Sequence, residues 1–383
     1  MKTKHLLILA CIVIVLGIIY ALQQGSRKNG SDFVERRELV PSNFSSDSVV
    51  AVKLEQNGKT VTLKQTDSGW TVAERFGYPA DVSRLRDLFI KLCDARIAQE
   101  ISLTPVQEKE LSLTPEKSVT LTLTDKNGQT LQRFVFGSAH SGRQSAAQPF
   151  PMGGSSGRYL LLADGRCVVV PEGFHEVDSS LTDWLNRDFF QVSDLKRAIL
   201  KRNGRTEWEL NFRDGKPVLA GTIPARKELD ESKTSSLKST FSWIRFQDVA
   251  DPKAAPADTG MDKAPELLLT DSDDLVYTIR PGAGKDGKHY LRVAVVWQGE
   301  AKRKAPANEK PEDTKRLDAE FEKTVRERKE KAAKLNKALS AWTYAVEKSV
   351  FDSASAARSS FLKDKPKPEP KQDGKSPSVK PVK

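Results

Sequence analysis

The chain of 383 residues is 38% apolar and 30% charged, a composition that supports folded domains and excludes a wholly disordered protein. Its net charge of +11 is unevenly placed: residues 301–383 hold 22 Lys and Arg against 13 Asp and Glu, whereas residues 1–300 hold 40 against 38. The larger part is therefore nearly neutral, and the basicity is a property of the C-terminal segment. The three cysteines, Cys11, Cys93 and Cys167, have no metal or redox spacing, and the latter two are expected to be separate buried thiols.

Met1 to His5 is a short cationic lead, and Leu6–Leu22 is a run of 17 residues without charge. A helix rising 1.5 Å per residue would cover about 25 Å, enough for a single span with Tyr20 and the flanking glutamines at the interface. A cleaved signal peptide is the rival reading, but Ala21-Leu22-Gln23-Gln24 is a poor small-x-small exit. Residues 1–24 are thus expected to be a transmembrane anchor and 25–40 a polar linker. Lysine and arginine lie on both sides of the span, so charge leaves its orientation open.

Residues 41–192 read as a first α+β unit. Val50, Val52 and Leu54 alternate with polar neighbours, Asn57-Gly58 supplies a hairpin turn, and Val61 and Leu63 return. Trp70 and Val72 continue the sheet. From Asp81 the period changes: Val82, Leu85, Leu88, Phe89, Leu92 and Cys93 fall on one helical face, expected to lie along the sheet. Val119, Leu121 and Leu123, the turn Asn127-Gly128, and Leu131–Phe136 form the next hairpin. Gly137–Arg158 is read as a Gly, Ser and Pro loop, followed by strands at 159–162 and 167–170 and a short helix within Phe174–Phe190.

Residues 193–364 repeat this plan in degenerate form. Asn203-Gly204 and Asp214-Gly215 are the turns, and Leu229–Trp243 is the helix, buried through Leu237, Phe241 and Ile244. Lys302–Lys337 interrupts the copy. Leu317, Phe321, Val325, Ala332, Leu335 and Leu339 lie near heptad spacing between charged i,i+4 pairs, which predicts one long helix projecting from the fold. Its Phe321, Val325 and Leu335 edge is the candidate partner-binding surface. Trp342–Leu362 resumes the fold, and residues 365–383 form a Pro/Lys tail too polar to build a core. The expected class is α+β: two tandem degenerate repeats of mainly antiparallel sheet with packed helices.

No arrangement points firmly to catalysis. Gly153-Gly154-Ser155-Ser156-Gly157 matches a hydrolase G-x-S-x-G elbow in letters, but a loop precedes it and a strand follows, where an elbow needs strand before and helix after. An envelope hydrolase using Ser155 or His140 is the alternative reading. His5, His140, His175 and His289 make no metal-binding spacing. Gly282, Gly284 and Gly287 mimic a dinucleotide loop but join two strands. No metal, cofactor or catalytic residue is therefore expected. A third reading, binding of nucleic acid or an anionic surface through the basic C-terminal segment, is weakened by the acidic residues interleaved in its helix.

Several short phrases carry a resemblance: Gly69-Trp70, the helix entry Tyr78-Pro79-Ala80-Asp81, Leu111-Ser112-Leu113-Thr114-Pro115 before a strand, and Thr259-Gly260-Met261-Asp262-Lys263-Ala264-Pro265. Together with the N-terminal span they resemble the bacterial domain of unknown function 4340 family, over most of residues 41–364. The resemblance implies a single-pass protein of the cytoplasmic membrane with its soluble part outside. It also implies an accessory role beside ABC transporters of the gliding-motility auxiliary type, with no catalytic residues to carry over.

Overall fold

Local turn chemistry sets the strand pairing of the first copy. In the computed structural model, which describes residues 37–140, 157–306 and 309–366, β1 (Ala51–Gln56) and β2 (Lys59–Thr66) pair antiparallel around Asn57 and Gly58. Both turn residues have positive φ, 46° and 73°, and the twist of that turn matches the twist of the strands it joins. β3 (Gly69–Val72) and β4 (Tyr78–Pro79) extend the sheet to one edge. Helix α1 (Val82–Asp94) starts where the Asp81 carboxylate accepts the Arg84 N–H at 3.0 Å. It carries the chain to the opposite edge, where β5 (Gln99–Ile101) pairs with β9, the last strand of this unit (Cys167–Val170). α1 buries Leu85, Leu88 and Leu92, each worth about 2 kcal/mol relative to exposure.

Between these edges stand α2 (Pro105–Glu110), β6 (Val119–Thr124), β7 (Thr130–His140) and β8 (Gly157–Leu162). The nine strands follow the order β4-β3-β2-β1-β6-β7-β8-β9-β5. The expected loop at Gly137–Arg158 is shorter than its sequence suggests: Gly137–His140 continues β7, and Gly157 and Arg158 open β8. Residues 141–156, including Ser155, lie outside the described residues, as do the expected membrane span Leu6–Leu22, the linker up to Arg36 and most of the 365–383 tail. Among the described residues no helix is long and apolar enough to cross a membrane. The helix expected within Phe174–Phe190 is instead two single turns of 3-10 helix, His175–Asp178 and Leu181–Trp184.

The chain divides between Trp184 and Leu185 into two compact units. Residues 185–192 go with the second because Phe190 stacks on Tyr277 and the Val192 N–H bonds to the Phe241 carbonyl. That unit contains β10 (Arg197–Arg202), β11 (Arg205–Arg213), β12 (Lys216–Leu219), β13 (Lys227–Leu229), α3 (Glu231–Ser242) and β14 (Asp248–Val249). There follow β15 (Glu266–Thr270), β16 (Leu275–Ala283), β17 (His289–Trp297), α4 (Pro311–Leu339), β18 (Thr343–Val346), α5 (Lys348–Ala354) and β19 (Leu362–Asp364).

Its main sheet runs β12-β11-β10-β15-β16-β17-β18-β14, the first sheet's order without β4. The internal repeat is therefore a repeat of topology. Gly282, Gly284 and Gly287 lie in or beside the β16–β17 hairpin, as their setting between two strands predicts.

The copies also share a crossing. The Leu111 carbonyl passes over Gly137 of β7, and the Thr259 carbonyl passes over Gly282 of β16, each so close that a Cβ would collide with it. The next residue in both connectors is left-handed, Ser112 at φ 57° and Gly260 at φ 71°. The two related phrases of the sequence thus mark one backbone device used twice.

Helix α4 does not project freely. β18 pairs only with His289–Arg292 of β17, and the rest of that strand edge is covered by the helix. Asn336 Oδ1 accepts the Val295 N–H at 3.0 Å, and the Lys329 ammonium sits 5.2 Å from the Trp297 ring centre. Asp273, in the β15–β16 turn, receives Arg328 and Lys331 at 3.1 Å each. Sequence periodicity gives the helix and its stripe; the unpaired edge of a neighbouring strand is what pulls it in.

Candidate docking groove of the first unit

Three buried leucines use up the core-facing side of α1, and the rest of its apolar residues line a groove. Val82 and Ile90 are 53% and 51% exposed, and Phe89 and Cys93 are half-buried. Opposite them stand Trp70 of β3, Val49 and the short 3-10 turn Ser46–Ser48. The groove has a volume of about 480 Å³, and the Trp70 and Phe89 rings meet across it at 6.4 Å, tilted by 59°. The sequence period places Val82, Phe89 and Cys93 with the buried leucines; the structure divides that wide stripe between core and groove. A helix covers a sheet along a narrower arc than its apolar residues span here.

The second copy provides an internal comparison. Asp230 caps α3 as Asp81 caps α1, its carboxylate accepting the Ser232 N–H at 3.0 Å. Counting from the caps, buried Thr234, Leu237 and Phe241 match Leu85, Leu88 and Leu92. The groove positions Val82, Phe89, Ile90 and Cys93 then match Glu231, Lys238, Ser239 and Ser242. The same fold is thus built with polar residues at these four positions, so it does not require apolar ones there in the first copy. Comparing the two helices position by position in the sequence would have exposed this asymmetry.

The residues singled out from sequence are dispersed. Val325 is a buried residue of α4, whereas Phe321 and Leu335 are half-buried along the same stripe, so the three do not form one open face. His140 Nδ1 shares a 2.7 Å hydrogen bond with the Tyr159 hydroxyl, and Ser155 lies outside the described residues. His175 begins a 3-10 turn and His289 begins β17. Cys93 and Cys167 are free. Burial pushes both thiols above their ordinary range, with Asp94 adding to the effect at Cys93, which makes them weak nucleophiles.

One polar cluster had no sequence signal. Arg158 is buried at the start of β8, with its guanidinium paired in two parallel bonds to Asp178, at 2.6 and 2.7 Å. Its Nε donates to the Gly137 carbonyl at 3.0 Å, and its Nη1 reaches the carbonyls of Gly173 and Phe174 at 3.3 Å. The cation also lies 5.5 Å from the Phe136 ring centre. This arrangement ties the 3-10 turn His175–Asp178 to the sheet and leaves no free donor fork for a ligand.

No curated protein and no solved structure matches the chain. A family model does, from residue 70 to residue 264, just over half of the chain. That span begins at the groove residue Trp70, includes the whole of α1 and α3, and ends just beyond the second left-handed crossing. The chain accordingly belongs to the family described as a domain of unknown function, DUF4340.

Proposed function

We propose that this protein is a non-enzymatic, membrane-anchored accessory protein of the cell envelope, an interaction module for an ABC-type transporter or another envelope complex. The open apolar groove of the first unit carries this reading. Exposed Val82 and Ile90 and half-buried Phe89 and Trp70 form a concave apolar surface that the second copy dispenses with, and such surfaces serve association. The uncharged run Leu6–Leu22 supplies the anchor, with residues 41–364 on the extracytoplasmic side.

Two measurements test it. Single cysteines introduced in the linker and near residue 365 should be labelled by an impermeant maleimide in intact cells whose outer barrier has been opened. Labelling only after lysis would overturn the extracytoplasmic placement. Purification of the full chain in mild detergent should bring a transporter subunit or another envelope protein with it in fixed ratio; isolation of the chain alone under several gentle conditions would overturn the accessory role.

A further inference from the structure

The groove beside α1 has an apolar floor and an acidic rim. Asp47 stands on one side, and Asp94, one helical turn after Ile90, on the other. Both carboxylates are exposed, and neither makes an ion pair among the described residues. The one cation lining the groove, Arg86, donates to the Ser83 hydroxyl at 3.2 Å. Lys91, on the same helix, is engaged by Glu176. Two uncommitted carboxylates against one guanidinium leave the mouth of an apolar groove net negative, and low-dielectric walls strengthen such a field.

That combination selects among occupants. An anionic bilayer surface would be repelled by the rim. A second copy docking by the same face would set acidic rim against acidic rim across a two-fold axis, which costs association energy. A peptide segment with two or three apolar side chains on one face and Lys or Arg beside them meets both the floor and the rim.

Resting on the accessory reading above, we infer that the groove is the docking site for a cationic amphipathic segment of the partner protein. Its apolar side chains enter between Trp70 and Ile90, and its basic residues pair with Asp47 and Asp94. The second copy, with Glu231, Lys238, Ser239 and Ser242 at the matching helix positions, has no such site.

The test uses the full chain in phosphatidylcholine nanodiscs and two fluorescein-labelled synthetic amphipathic peptides with the same leucine stripe, one flanked by lysines and the other by glutamates. Fluorescence anisotropy, corrected with empty discs, reads binding. The lysine peptide should bind saturably, and the glutamate peptide about tenfold or more weakly. The double variant Val82→Glu with Ile90→Ser places second-copy residues at exposed positions and should weaken the lysine peptide about tenfold. Asp47→Asn with Asp94→Asn, which leaves the apolar floor intact, should weaken it about threefold or more and flatten its salt dependence.

Absence of saturable binding, equal binding of both peptides, or wild-type affinity in either double variant would overturn the assignment. A null peptide result with a partner still co-purifying would remove this site and leave the accessory role. Peptide binding without any co-purifying partner would do the reverse.

Discussion

The carbonyl oxygen of Leu111 lies over the α-carbon of Gly137, inside the space a Cβ would need, and the Ser138 N–H bonds to that same oxygen at 2.8 Å. Thr259 and Gly282 repeat the close approach in the second unit. Gly137→Ala and Gly282→Ala should therefore each cost about 1–3 kcal/mol by forcing two backbones apart. Chemical denaturation of the single variants checks this, and a change within experimental error at either position would refute the crossing as a packing constraint.

The residue that turns left-handed at the crossing differs between copies, Ser112 in one and Gly260 in the other. A side chain at φ 57° is strained, so Ser112→Gly should be neutral to stabilising by about 0.5 kcal/mol, the relief being partly offset by the freer unfolded chain. Gly260→Ala should instead destabilise, because its Cβ would also strike the backbone of Ala283. Opposite signs in one denaturation series are the expected result.

Asp178→Asn should destabilise the first unit by about 2 kcal/mol, since it leaves the buried Arg158 guanidinium without its counter-charge while its other hydrogen bonds remain. Arg158→Met, which removes the buried charge, should cost less in combination with Asp178→Asn than the two single costs summed. A double-mutant cycle measures that coupling.

Asp271 is buried in the β15–β16 turn and accepts the N–H groups of Asp273 and Leu275 at 2.9 and 3.0 Å, with the Tyr277 hydroxyl at 3.3 Å. Burial raises its pKa above the ordinary aspartate value, outweighing the two backbone hydrogen bonds. The folded state thus binds this proton more tightly than the unfolded chain. The associated stability is fully present below the unfolded pKa, near 3.8, and is lost as pH rises through the higher folded value. Relative to Asp271→Asn, the native protein should lose stability as pH rises above the unfolded value and through the raised folded one. A pH-independent difference between the two would contradict this assignment.

Hydrogen exchange should divide α4 in two. The Val325–Leu339 half, seated along β17 through Val325, Ala332, Leu339 and Asn336, should be the slower. The Pro311–Thr324 half, where Leu317 and Phe321 are half-buried and no residue is fully so, should exchange faster. Asp273→Ala, which removes the carboxylate holding Arg328 and Lys331, should raise exchange in the seated half first.

By itself the sequence determined the repeat, the turns that punctuate it and the place where the second copy is interrupted. These depend on local rules: Asn-Gly pairs adopt positive φ, alternating residues form strands, and an aspartate before an apolar period starts a helix. Only the tertiary structure decided which apolar residues become core. Val82, Phe89 and Cys93 share the period of Leu85, Leu88 and Leu92, yet the sheet covers only the leucines, because coverage depends on the width and position of a partner surface that helical spacing does not encode. For the same reason α4 lies against β17, Gly137 stands within a strand, and Arg158 finds Asp178. Each follows from groups distant in the chain being brought together, and in the case of α1 that leaves an acid-rimmed groove beside Trp70.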